Sequence, residues 1–157
     1  MSFSGRMDRT FQNALCLPLD RRARYILLSD CHRGTGNAND NFQKNEFLYL
    51  AALDYYFREG FTCLELGDGD ELWENRSIER IKEAHRESFE MLARFYEAGR
   101  LYLVYGNHDM VKKNPKYRDK YFRTYFCDQE LCERPLCHGV RFYSGIILRD
   151  REPKQDV

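Results

Sequence analysis

The chain has 157 residues, of which 43% are hydrophobic and 32% charged, and this composition is typical of a globular domain with one core. Lys and Arg together number 25, as do Asp and Glu, so net charge favours neither a nucleic-acid-binding protein nor one that binds an anionic membrane. No apolar run approaches the ~20 residues of a membrane-spanning helix, and residues 1–20 lack the apolar centre of a signal peptide. We therefore expect a single domain in the cytoplasm.

Strands and helices alternate through residues 24–105. Apolar runs at residues 24–29, 61–66 and 101–105 are predicted as strands. Residues 41–59 and 78–98 carry apolar side chains at helical spacing, and Gly60 and Gly99 follow where such helices would end. The order β-α-β-α-β predicts an α/β fold with a parallel sheet and helices packed on it. In such sheets, ligands bind beyond the carboxyl ends of the strands.

Residues 112–126 interleave Lys and Arg with Tyr and Phe. A basic aromatic segment can bind a phosphorylated or nucleic-acid partner through charge and stacking, but a solvated helix with an aromatic face toward the core explains the same residues. We favour the helix and keep nucleic acid as an alternative partner. Residues 140–148 are predicted as a further strand.

The six cysteines lack the paired C-x-x-C spacing of a zinc ribbon, and we expect them to be reduced. Cys127, Cys132, Cys137 and His138 are close enough in sequence for a small zinc site. We prefer the alternative of a loop with scattered cysteines, and we leave this group out of the candidate site.

The first two predicted strands are followed by residues that can bind metal ions. Asp30 and His32 follow the first strand, and their side chains can share one metal ion because alternate strand residues point to the same face. Gly67 and Asp68 follow the second strand. Here the glycine permits a tight exit from the strand, and the carboxylate can bridge two cations.

The third predicted strand is also followed by polar residues. Asn107 offers an amide oxygen, His108 can donate a proton, and Asp109 can orient the His108 ring. In the second loop, Asp70 and Glu71 add negative charge, which favours cations or basic side chains nearby; the alternative is an exposed acidic loop.

Three motifs in this order resemble the opening motifs of the calcineurin-like metallophosphoesterase superfamily: Asp30-x-His32, Gly67-Asp68-x-x-Glu71 and Gly106-Asn107-His108-Asp109. The second motif is similar to that of the bacterial branch that includes UDP-2,3-diacylglucosamine hydrolases. That branch usually carries apolar residues at the positions of Gly69 and Asp70, so its substrate is not carried over to this chain. The resemblance implies that the sheet is the first half of a metallophosphoesterase sandwich.

The resemblance also implies a metal-dependent phosphoesterase with two divalent ions, which are Mn, Fe or Zn. It implies four metal ligands: Asp30, His32, Asp68 and Asn107. Asp68 would bridge the two ions, and a metal-bridging hydroxide would attack the phosphorus of a phosphate ester. His108 would act near the leaving oxygen with Asp109 supporting it. Arg33 either contacts the phosphate or lies at the surface.

In that superfamily, a further sheet bears a lone histidine and a Gly-His-x-His segment, which complete both metal sites. Neither is evident here, although His138 is a candidate ligand; His85, in the second predicted helix, is expected to be structural. We therefore expect residues 1–157 to be a single truncated domain with its motif-bearing core at residues 24–110. The alternative function is a catalytically incomplete fragment that binds metal, or a phosphorylated or nucleic-acid partner, without turnover.

Overall fold

The structure is a computed structural model that describes residues 3–150. The helices are α1 Phe3–Asn13, α2 Glu46–Arg58, α3 Leu72–Asn75, α4 Ile78–Ala84, α5 Arg86–Glu97 and α6 Pro115–Tyr121. The strands are β1 Leu15–Leu19, β2 Tyr25–Leu28, β3 Thr62–Leu66, β4 Leu101–Val104, β5 Thr124–Cys127, β6 Cys132–Pro135, β7 Phe142–Tyr143 and β8 Ile146–Asp150. Two short 3₁₀ helices span Phe42–Lys44 and Met110–Lys113. None of the helices within residues 3–150 has the length and apolar character to cross a membrane.

The central sheet has the strand order β2-β3-β4-β7, and all its strands are parallel. Helix α2 lies between β2 and β3 in the chain, and α4 and α5 lie between β3 and β4. The predicted α/β fold with a parallel, helix-covered sheet is therefore confirmed. The carboxyl ends of β2, β3 and β4 lie at one edge of this sheet, because neighbouring parallel strands run in the same direction.

Two smaller sheets complete the described chain. β5 and β6 form an antiparallel hairpin, and β1 pairs in parallel with β8. The predicted strand at residues 140–148 is divided at Ser144 and Gly145, so that β7 joins the central sheet and β8 pairs with β1. Neither α1 nor β1 was predicted.

The core lies between the central sheet and α4 and α5. The predicted apolar face of residues 78–98 is buried in full: Ile78, Ile81, Phe89, Leu92 and Phe95 are at most 3% exposed. These side chains pack with Leu53 of α2 and with residues of β3 and β4 in one hydrophobic cluster. Each buried side chain of this size stabilises the fold by about 1.5–3 kcal/mol.

The prediction of one helix over residues 78–98 was wrong, because the helix is interrupted at His85. Its backbone is not helical, and its buried ring lies between two carboxylates. His85 Nε2 is 2.7 Å from Asp40 Oδ2, and Nδ1 is 2.9 Å from Glu46 Oε2. Burial alone would lower the pKa of His85, but the hydrogen bonds with Glu46 and Asp40 outweigh it and raise that pKa. The expected structural role of His85 fits this position.

Most aromatic side chains of residues 112–126 are buried or half-buried, whereas Lys113, Lys116, Lys120 and Arg123 are exposed. Tyr117 and Tyr121 of α6 pack against the core, as predicted for a helix with an aromatic face. Arg118 donates hydrogen bonds to the carbonyl oxygens of Lys113 and Val140, and Lys112 is buried. The segment therefore offers fewer exposed cations to nucleic acid than its sequence indicates.

Candidate metal centre

Three loops leave the carboxyl ends of β2, β3 and β4 and are joined by hydrogen bonds. The His32 N–H donates to the Asp68 carbonyl oxygen at 2.9 Å, and the Glu71 N–H donates to that of Arg33 at 2.9 Å. The His108 N–H donates to Asp68 Oδ1 at 2.8 Å. Pairing of the first two loops therefore continues beyond the strands, and Asp68 ties the third loop to the second.

Two groups of side chains in these loops each place three ligand atoms within 4.8 Å of one another. One group is Asp30, His32 and Asp68, and the other is His32, Glu71 and His108. His32 belongs to both, since its Nδ1 is 2.8 Å from Glu71 Oε2 and its Nε2 is 3.8 Å from Asp30 Oδ1. Carboxylate oxygens and imidazole nitrogens together suit Mn, Fe or Zn.

The Glu71 carboxylate contacts both imidazole rings, those of His32 and His108. Its Oε2 is 2.7 Å from His108 Nδ1, and the two ring centroids are 4.5 Å apart. Hydrogen bonding to Glu71 raises the pKa of His108. Burial would raise the pKa of Glu71, but the hydrogen bonds from His108 and His32 outweigh it and lower that pKa. Glu71 therefore orients the His108 ring, a role that the sequence analysis gave to Asp109.

The predicted contact between Asp109 and the His108 ring was wrong. The Asp109 side chain is fully buried, and its Oδ1 accepts a hydrogen bond from the Gly106 N–H at 2.7 Å. Its Oδ2 is 2.6 Å from Nζ of Lys112, which is also buried. Asp109 therefore faces the interior and holds the third loop in shape.

The prediction for Arg33 was also wrong, because Arg33 neither lies at the surface nor is free to bind phosphate. Its side chain is 1% exposed, and its guanidinium donates to Glu65 at 2.8 and 3.0 Å and to Asp70 at 2.6 Å. Asp70 Oδ2 is 2.7 Å from Nζ of Lys112. Burial would raise the pKa of Asp70, but the positive charges of Arg33 and Lys112 outweigh it and lower that pKa. Basic side chains near Asp70 were predicted, and their presence is confirmed.

These contacts form one buried ion network beneath the candidate site. It contains two cations and three carboxylates: Arg33, Lys112, Glu65, Asp70 and Asp109. Its members come from β3 and from all three loops, so the network connects the segments that carry the candidate ligands. We call it the buried network below.

Two glycines permit this close packing. A Cβ atom at Gly106 would lie 2.1 Å from Asp68 Oδ1, and one at Gly69 would lie 2.1 Å from Glu65 Oε1. Gly69 and Asp70 stand between Asp68 and Glu71 in the second motif. Both residues allow the buried ion pairs of Arg33: Gly69 leaves room for the Arg33 guanidinium, and the Asp70 carboxylate accepts a hydrogen bond from it.

The backbone is strained at three candidate ligands. Among residues 3–150, five non-glycine residues have positive φ, and Asp30, His32 and Asp68 are three of them, with φ between 49° and 54°. Such conformations cost about 1–3 kcal/mol each and persist where the surroundings enforce them. Their concentration at one edge of the sheet supports a functional site there.

The remaining sequence candidates have different positions. Asn107 is exposed, and with His108 it borders a groove on the protein surface. His138 precedes β7, which runs parallel to β4, so it lies toward the opposite edge of the sheet and is not brought to the site.

Neither ligand group in the described residues contains a cysteine, and burial raises the pKa of the Cys31 thiol to about 11. The thiols are free, as expected.

Two concave surfaces flank the ligand groups. The cavity on the His32 side has a volume of about 440 Å³ and is bordered by acidic and amide side chains, among them Asp40, Glu74 and Asn75. The groove on the His108 side has a volume of about 510 Å³ and is bordered mainly by apolar side chains. The two surfaces beside the ligand groups therefore differ in polarity.

Comparison of the chain with family models, with curated proteins and with solved structures gave no match. The function is therefore inferred from the motifs and from the geometry of this site.

Proposed function

We propose that the chain is a metal-dependent phosphoesterase of the calcineurin-like type, which hydrolyses a phosphate ester. The observation that carries this proposal is the convergence of Asp30, His32 and Asp68 at one sheet edge, with three ligand atoms within 4.8 Å of one another, beside the hydrogen-bonded pair of Glu71 and His108. Clustered carboxylates repel one another, and a bound cation removes that repulsion.

The donor set fits the divalent ions that the motifs imply. Asp30, His32 and Asp68 would hold one ion through two carboxylates and one imidazole, and the resemblance implies Asp68 and Asn107 as ligands of a second. When bound, such ions lower the pKa of water and neutralise charge on phosphoryl oxygens. The predicted identity of the ions as Mn, Fe or Zn is kept.

His108 is the proposed general acid. Glu71 hydrogen-bonds to Nδ1 of His108, which leaves Nε2 as the nitrogen that can donate a proton to the leaving oxygen. The same hydrogen bond raises the pKa of His108, so that the ring carries its proton at higher pH than a free histidine. Protonation of the leaving oxygen then accompanies cleavage of its bond to phosphorus.

A second candidate function is metal binding without turnover. It is favoured by the small number of histidines at the site, since the chain has four and two of them, His85 and His138, lie elsewhere. The two ligand groups also share His32, so they are not independent three-ligand sites.

The test measures metal binding and turnover on the same preparation. Trp73 is the only tryptophan of the chain, and its ring centroid lies 5.0 Å from that of His108, so its fluorescence reports on the site. Mn²⁺ is titrated against this fluorescence, and hydrolysis of p-nitrophenyl phosphate is followed with and without Mn²⁺. Asp68→Asn removes a candidate ligand at nearly constant volume, and Asp8→Asn, at an exposed position of α1, is the matched control.

Saturable quenching together with Mn²⁺-dependent turnover, both lost in Asp68→Asn and kept in Asp8→Asn, supports the phosphoesterase. Quenching without turnover supports the second candidate. A folded chain that shows neither quenching nor turnover contradicts both.

A further inference from the structure

The groove beside His108 is apolar, exposed and unused in the roles assigned so far. Its volume of about 510 Å³ lies within the range of about 300–1,000 Å³ typical of small-molecule sites. Trp73 on one wall is 67% exposed, and Met110 and Val111 on the other are 55% and 42% exposed. Large apolar side chains that are exposed side by side are characteristic of binding surfaces.

Both walls are held in place from the interior. On one side, Leu72 is buried, and the Glu71 side chain accepts a hydrogen bond from the Glu74 N–H at the start of α3. On the other side, the 3₁₀ helix Met110–Lys113 is anchored by buried Lys112. Trp73 therefore faces the groove on an ordered helix, and the groove does not need to form when a ligand binds.

The groove lies where the leaving group of the proposed reaction must be. The ring centroids of Trp73 and His108 are 5.0 Å apart, and both side chains border the groove. A general acid must come within hydrogen-bond distance of the leaving oxygen, so the group attached to that oxygen lies beside His108. The cavity on the His32 side is lined by polar side chains, whereas this groove is lined mainly by apolar ones, so an apolar leaving group fits this groove better.

We propose that this groove binds an aromatic leaving group, whose ring stacks on Trp73; the inference rests on the proposed phosphoesterase function. The indole offers a planar surface for another ring, and the thioether of Met110 makes favourable contacts with aromatic ring edges. Arg76 and Asn107 add hydrogen-bond donors to the lining. The heteroatoms of a ring can accept hydrogen bonds from these donors.

The first arm of the test measures stacking without turnover. 4-Nitrobenzylphosphonate is titrated in the presence of Zn²⁺, with methylphosphonate as the matched ligand that has no ring. Because a nitroaromatic ring quenches indole fluorescence on contact and Trp73 is the only tryptophan, quenching reports on this one side chain. We expect saturable quenching by 4-nitrobenzylphosphonate and none by methylphosphonate.

The second arm measures specificity through kcat/KM with Mn²⁺ for benzyl, cyclohexylmethyl and ethyl phosphate, whose leaving alcohols have similar acidity. Stacking on an aromatic side chain changes affinity by about tenfold, so we expect about a tenfold preference for benzyl over ethyl phosphate. That ratio should fall about tenfold in Trp73→Ala, remain in Trp73→Phe, and be unchanged in Phe47→Ala. Phe47 lies on α2 and is 79% exposed, which makes it the matched control.

The outcomes separate this inference from the function on which it rests. Hydrolysis of all three esters at equal kcat/KM, without quenching, overturns the aromatic site and leaves the phosphoesterase standing. Benzyl and cyclohexylmethyl phosphate that are preferred equally over ethyl phosphate, with no change in Trp73→Ala, also overturn the aromatic site, because the groove then binds any apolar group. Quenching without hydrolysis of any ester overturns the phosphoesterase and supports an aromatic binding site. Neither quenching nor hydrolysis overturns both.

Discussion

Replacement of Lys112 by methionine tests whether the buried network connects the loops of the site. Nζ of Lys112 lies 2.6 Å from Asp109 Oδ2 and 2.7 Å from Asp70 Oδ2, and its side chain is 1% exposed. Methionine keeps the apolar part of the side chain but leaves two buried carboxylates without this cation. Removal of one partner from a buried ion pair costs about 3–5 kcal/mol. We expect a loss of that size in the free energy of unfolding, a large fraction of the ~5–15 kcal/mol typical of a domain.

The size of this loss depends on pH. Lys112 is one of the two cations that lower the pKa of Asp70, so its removal raises the folded-state pKa of that carboxyl. A carboxyl with a lowered folded pKa contributes stability above its unfolded value, here near 3.8, and that contribution is lost as pH falls through the folded pKa. In the variant, protonation of the carboxyl begins at higher pH and relieves the unpaired charge. The difference in the free energy of unfolding between wild type and Lys112→Met should therefore have its full size at pH 7 and be smaller near pH 4.

The assay is urea unfolding at both pH values, followed by Trp73 fluorescence and by far-UV circular dichroism. Lys113→Met is the matched control, because Lys113 is the next residue and is exposed. Exposed substitutions of this kind change stability by less than about 0.5 kcal/mol. A loss below about 1 kcal/mol for Lys112→Met at pH 7, or one equal to that of Lys113→Met, would refute the coupling.

Further predictions concern the ligands, the close packing and pH. Asp68→Asn should weaken Zn²⁺ binding at least tenfold by isothermal titration calorimetry, because it removes a charged ligand. Gly106→Ala should cost about 1–3 kcal/mol in urea unfolding, because its Cβ would lie 2.1 Å from Asp68 Oδ1, while Gly145→Ala, whose Cβ would meet Thr10 at 3.6 Å, should cost less. The pKa of His85 is raised in the folded protein, so its contribution to stability is full below the unfolded pKa of about 6.5 and is lost as pH rises through the folded pKa. We therefore expect His85→Gln to flatten the alkaline side of the profile of stability against pH, measured by thermal unfolding.

The sequence predicted the central sheet well because its strands are short apolar runs that end at polar loops. β2, β3 and β4 all lie within the predicted runs, and the apolar face of α4 and α5 was identified from its spacing. The pairing of β1 with β8 was beyond such reasoning, since Leu15 and Ile146 are far apart in the chain and β1 contains Pro18. The break at His85 depends on carboxylates from a distant loop and from α2, which override local helix preference.

Parts of the site were predicted incorrectly because burial of a charge is not visible in a motif. Arg33 and Asp109 stand beside His32 and His108 in the chain and were given roles in the site, yet both face the interior. Strand alternation does not separate these interior neighbours from the ligands, because β2 ends at Leu28 and His32 has a positive φ. Glu71 was part of the second motif, Gly67-Asp68-x-x-Glu71, and was given no role in orienting His108.

The buried network and the strained ligands are two aspects of one arrangement. Asp30, His32 and Asp68 hold positive φ values, which are unfavourable unless the surroundings enforce them. Asp70 lies two residues from Asp68, and Arg33 lies next to His32, so their ion pair fixes the loops on both sides of the strained residues. A buried ion pair is often no more stabilising than a well-packed apolar group. Under the proposed function its contribution is geometric, because ligands that are already held in position would lose little conformational entropy on binding a metal ion.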